Sequence, residues 1–157
     1  MEEENNKEKY EKIRKKYSLP SLEELNKNFG VELNIEEPFL SKIVEKIMDE
    51  INNNSRMIES IIFVNQSSPI SDIYQRNMVE DKDELFELYK ELMKMYWEAK
   101  KIRIKSEEKE MAEFTKKMYK KWEMQINPFF IKLSTRFNKK WGNLKLKNSE
   151  TSVKYYG

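Results

Sequence analysis

The chain has 157 residues, of which 37% are charged and 38% hydrophobic, and a net charge of +2. It has no cysteine, no histidine, 3 glycines and 4 prolines. These absences exclude disulfide frameworks, thiolate zinc sites, His-based catalytic triads and the Glu-x-x-His sites of di-iron bundles, and so few turn formers leave little room for a β fold.

Residues 1–17 are mostly charged, with Tyr10, Ile13 and Tyr17 as sparse apolar positions. Residues 1–20 read as a helical arm, loosely docked or ordered by a partner, which Leu19-Pro20 ends. Ser21 and Glu24 form a capping box and Gly30 stands where a left-handed C-cap belongs, so a short helix is predicted from Leu22 to Phe29. Val31 to Ile35 alternates like a strand, but nothing else in the chain can pair with it, and it reads as an extended linker. Glu37-Pro38 opens the next helix. Leu40, Val44, Ile47, Ile51, Ile58, Ile61 and Asn65 share a heptad-like register, with Asn54 in the vacant slot as a register-setting polar residue. That register makes 39–64 one long helix. The run Asn52-Asn53-Asn54-Ser55 is where it would otherwise break into a hairpin.

Gln66 to Ser71 is a turn, with Ser68 and Pro69 starting a short helix that reaches about Met78. Asp81 to Ile104 is the central element. Leu85, Leu88, Leu92, Met95, Ala99 and Ile102 recur at spacings of three and four, and Asp81 with Glu84 forms an acidic capping box. Phe86, Tyr89, Met93, Tyr96 and Trp97 widen the apolar face, which predicts a helix surrounded on more than one side. Lys105 to Glu110 lacks any apolar residue, and Ser106 before Glu107 and Glu108 reads as an N-cap. Residues 82–126 are therefore either one helix with a polar turn or two helices. The pattern resumes at Met111, Phe114, Met118, Trp122 and Ile126. Asn127-Pro128 reads as a further helix start, and Phe130, Leu133, Phe137 and Trp141 carry the apolar face to a C-cap at Gly142. Residues 143–157 are polar and unpatterned, a mobile basic tail. The prediction is all-α: a single domain over 1–142, a bundle of four to six helices, two of them long.

Charge divides the chain. Residues 1–100 carry 15 Lys+Arg against 22 Asp+Glu, a balance of −7; residues 101–157 carry 15 against 6, a balance of +9. Such a split fits either a surface for an acidic partner or two halves of complementary charge. The candidate nucleic-acid contacts are Lys101, Arg103, Lys105, Lys116, Lys117, Lys120, Lys121, Lys139 and Lys140, with Tyr155 and Tyr156 as rings off any helical pattern that would stack on unpaired bases. Against them stands a bias to 25 Lys over 5 Arg, since bidentate contacts to guanine favour arginine. Acid pairs such as Glu87 with Glu91, and Glu107 with Glu110, are the solvated faces expected of so charged a chain, so no catalytic, cofactor or metal residues are assigned. Isolated glycines leave no phosphate-cradling loop. The longest uncharged run, Ser60 to Ser71, is twelve residues, too short to span a bilayer. The segment Pro128 to Trp141 pairs aromatic residues with lysines as interfacial helices do, but its apolar face continues the preceding one and is expected inside the bundle. The acidic N-terminus is opposite in charge to a secretory signal, and a cytoplasmic protein is expected. The function expected is a non-enzymatic helical interaction or structural module, self-associating or part of a complex. The alternative is an RNA or ribonucleoprotein-binding protein that uses the basic C-terminal third.

Overall fold

The computed structural model describes residues 2–63 and 82–143, and no strand occurs among them. Helix α1 spans Glu2–Tyr17, α2 Leu22–Phe29, α3 Phe39–Ile62 and α4 Lys82–Lys105. Then α5 (Glu108–Lys121), a π-helical turn (Trp122–Ile126) and α6 (Asn127–Gly142) run on as one rod of 35 residues. The molecule is an all-α bundle. The expected helix near 70–78, the cap at Asp81 and the tail beyond Asn143 lie outside the described residues.

The core is the seam between α3 and α4, closed by α5. Ile43, Val44, Ile47, Ile51 and Ile58 of α3 and Leu85, Leu92 and Ala99 of α4 are fully buried. Met111, Ala112, Phe114, Thr115 and Met118 bring α5 onto the same layer. Leu22, Leu25 and Phe29 turn α2 inward, where the Phe29 ring lies 5.1 Å from that of Trp122. Both bonds of the capping box form: the Glu24 amide donates to Ser21 Oγ and the Ser21 amide to the Glu24 carboxylate. Gly30 then closes α2 at φ +63°, a left-handed conformation that favours glycine. The anchor of α1 is Tyr10, which is fully buried, donates its hydroxyl to the Pro20 carbonyl at 2.7 Å and meets Phe39 edge-on.

Helix α3 passes through Asn52–Ser55 unbroken. The vacant heptad slot is taken by Ser55, not by Asn54, which is only half-buried. The Ser55 hydroxyl donates to the Ile51 carbonyl at 2.8 Å, so the helix backbone meets the polar group's need for a partner. Val31 to Ile35 is a turn rather than an extended linker. The Ile35 amide donates to the Glu32 carbonyl, and Val31 and Ile35 are buried while Leu33 faces out.

Two local signals resolve differently from their sequence reading. Ser106 does not cap the helix that follows. It sits at φ +55° and closes α4, its amide donating to the Ile102 carbonyl and its hydroxyl to that of Arg103. Glu107 is the N-cap of α5, and 82–126 is two helices. Pro128 does not start a new helix. Proline lacks an N–H and its ring clashes with the carbonyl four residues back in a regular α-helix. Here the wider π turn just before it, with the Asn127 amide reaching the Trp122 carbonyl, lets the rod continue. The rod is thus a third long helix beside α3 and α4. Gly142 stays helical, and Asn143 caps the rod with φ −96°.

Candidate functional site

Helices α4 and α5 form an antiparallel hairpin about Ser106-Glu107, and the predicted basic residues divide according to that geometry. Three contacts run along it as a ladder: Lys105 to Glu110 at 3.0 Å, Lys117 to Glu98 at 2.6 Å and Lys121 to Glu91 at 3.0 Å. Arg103 reaches across to Glu45 of α3 at 3.3 Å, and Lys116 pairs with Glu113 one turn back on α5. These carboxylates sit where helix packing sets lysine and glutamate side by side. Hydrogen bonds from Lys121 and then Lys94 hold the Glu91 carboxyl below the usual carboxylate range, and the bond to Glu110 raises the Lys105 ammonium. The Tyr17 hydroxyl, followed by Lys16, lowers Glu108 at the start of α5.

Lys101, Lys120 and Lys139 make no ion pair among the described residues. Lys101 borders a cleft of about 690 Å³ between α4 and α5, floored by Phe114. Four lysines and four glutamates line that cleft, so it presents no single sign of charge. Lys117, Lys120 and Lys121 surround a shallower depression of about 470 Å³ with Met124 and Gln125. Lys139 and Lys140 stand in the last turn of the rod, nineteen residues beyond Lys120 and so roughly 28 Å along the axis. Nine of the eleven predicted contacts therefore form a hairpin group and a remote rod-end pair, while Tyr155 and Tyr156 lie outside the described residues. Among the described residues no three acids gather where a metal ion would be held, and no helix is long and apolar enough to cross a membrane.

A different feature of α4 departs from the sequence expectation. Phe86, Met93 and Trp97 do not widen the buried face. With Ile104 they line the outer side of the helix, about 150° round from the Leu85–Ile102 stripe at 100° per residue. Phe86 is 40% exposed, Trp97 62% and Ile104 76%, with Met93 half-buried between them. Their spacing of seven, four and seven is a heptad seam with nothing described packed over its C-terminal half. That spacing was the available signal. On the rod, Met124 and Ile131 are also exposed and seven residues apart.

The chain matches no family model, no curated protein and no solved structure.

Proposed function

We propose that the protein is a non-enzymatic helical interaction module whose outer apolar surface is covered by another protein chain. The supporting observation is the seam on the outside of α4. Single exposed apolar residues are ordinary on a protein surface, whereas a row of large ones in helical register, rimmed by charge, marks a contact surface. Burying a fully exposed side chain the size of Ile104 contributes about 1.5–3 kcal/mol, a gain that a partner chain covering the row would realise.

The pairing of Arg103, Lys105, Lys116, Lys117 and Lys121 with the protein's own carboxylates accounts for much of the basic charge without nucleic acid. Exposed pairs of this kind are weak, and phosphates would compete for them, so the two readings are separated by measurement. The test combines sedimentation velocity with binding of the dye ANS, which brightens on exposed apolar surface. The interaction reading expects either particles heavier than 19.1 kDa, or a monomer whose dye binding drops in Trp97→Glu and Ile104→Glu variants. A monomer that leaves the dye dark ends this reading. RNA binding that falls steeply with salt replaces it with the nucleic-acid reading.

A further inference from the structure

We infer that the chain covering α4 is a second copy of this protein, docked antiparallel about a two-fold axis that crosses the outer row at the level of residue 95. The inference rests on the interaction reading above and adds the partner and its orientation.

The apolar row is a palindrome. In Phe86, Met93, Trp97 and Ile104 the spacings read seven, four, seven from either end. Laid against itself in reverse, the row sets Phe86 opposite Ile104 of the second copy and Met93 opposite its Trp97. Each ring thus meets an aliphatic side chain, Trp97 the flexible Met93 and Phe86 the branched Ile104, twice over by symmetry. A parallel partner would instead stack Trp97 on Trp97 and leave each end facing its like.

The charged flank is also a palindrome, and its signs invert. Beside the row run Asp83, Glu87, Lys90, Lys94, Glu98, Lys101 and Lys105, at spacings of four, three, four, four, three, four. Asp83, Glu87, Lys90, Lys94, Lys101 and Lys105 are exposed and Glu98 half-exposed. In an antiparallel pair, like flanks face each other, and the midpoint of this one is Lys94. Asp83 then meets Lys105, Glu87 meets Lys101 and Lys90 meets Glu98, an acid to a base at every step away from the axis. The two midpoints, residue 95 for the row and 94 for the flank, agree to one residue. In α4 as a whole, residues 82–93 carry two Lys against four Asp+Glu, and residues 94–105 five Lys+Arg against one Glu, so reversal also opposes the two halves by charge. Lys101 makes no ion pair among the described residues and is free to take Glu87 of the second copy; among those residues Glu87 holds Lys90, at 2.7 Å on its own helix. Glu98 and Lys105 would exchange Lys117 and Glu110 of α5 for the second copy's Lys90 and Asp83. The one unfavourable contact is Lys94 against Lys94 on the axis, where each side chain is 75% exposed and has Glu91 of its own helix at 3.3 Å.

The test is the dissociation constant of the dimer, measured by sedimentation equilibrium on the full chain with helicity checked by circular dichroism. The expected particle is twice 19.1 kDa. Glu87→Lys weakens it at least about tenfold, because the symmetry repeats the like-charge contact, and adding Lys101→Glu restores it to within a few-fold. Lys94→Ala tightens it. The chain has no cysteine, so Lys94→Cys places a single thiol on the axis. A short bis-maleimide should link that variant into dimers, but not Lys12→Cys on α1. A dimer indifferent to Glu87→Lys, or one whose Lys94→Cys form does not cross-link, overturns the inference by placing the interface elsewhere. A monomer at every concentration overturns it too. If that monomer still binds ANS through Trp97 and Ile104, the interaction reading survives and the partner is another protein; if it does not, both fail.

Discussion

Tyr10 shows how one side chain can hold a helix that its neighbours cannot. Over sixteen residues α1 offers few apolar groups, and Tyr10 is the fully buried one among those described. Its hydroxyl supplies the Pro20 carbonyl, at the bend where the chain turns into α2. Tyr10→Phe keeps the ring and strands that carbonyl, so a loss of about 1–2 kcal/mol in urea unfolding is expected. Burial pushes the Tyr10 phenol well above its ordinary value, with Arg14 opposing. The sign follows: the folded chain keeps the proton where the unfolded chain gives it up. The contribution is therefore complete below about pH 10 and declines as pH rises past that value. The urea midpoint of the parent chain should fall between pH 9 and 11 more steeply than that of Tyr10→Phe; parallel slopes would refute the assignment.

The π turn before Pro128 carries a prediction of its own. It is one residue wider than an α turn, and it keeps Trp122 and Ile126 buried while setting the phase of Leu133 beyond. Deleting the exposed Met124 would return the turn to α geometry, with Pro128 then driven against the carbonyl one turn back, at a cost of about 3 kcal/mol. Deletion alone should destabilise; deletion with Pro128→Ala should recover most of the loss. If the second change rescues nothing, the proline is not what the π turn serves. Much of the helical order was legible in the residues: the Ser21–Glu24 box, Gly30, the α3 register from Leu40 to Ile61 apart from its Asn54 slot, and the inner stripe of α4 each stand where their pattern puts them. What was not legible shares a cause. Asn-Pro looks the same at a helix start and after a widened turn, and Ser-Glu-Glu the same whether serine begins a helix or ends one at positive φ. Aromatic residues at helical spacing do not say which side of the helix faces inward. For Phe86, Met93 and Trp97 the seven-four-seven spacing with Ile104 sets them apart from the inner stripe, and the position of α3 and α5 decides which of the two faces is covered.

The uneven charge of the chain is partly spent within the fold. Residues after 100 reach acids before 100 at Arg103–Glu45, Lys117–Glu98 and Lys121–Glu91, so the two halves complement each other along the hairpin. Glu91 is held low by Lys121 and then Lys94, Glu108 by the Tyr17 hydroxyl and then Lys16, and Glu24 by the Ser21 amide of its capping box. A depressed carboxyl stabilises the fold above its unfolded value, near pH 4.3, and the gain is lost as pH falls through the folded value. Glu91→Gln should therefore cost most above about pH 4.3, lose that cost as the chain is acidified, and so flatten the acid limb, read as helicity against pH; an unchanged limb would remove the pair from the account. The rod adds a consequence of a different kind. Its length is about 52 Å, yet five buried residues fall in the fourteen of α5 and only Leu133 in the sixteen of α6. Continuous hydrogen bonding does not imply uniform persistence. Amide deuterium exchange should be slow up to Ile126 and quicken past it, so that one covalent helix opens as two thermodynamic units, with the widened turn as the seam between them.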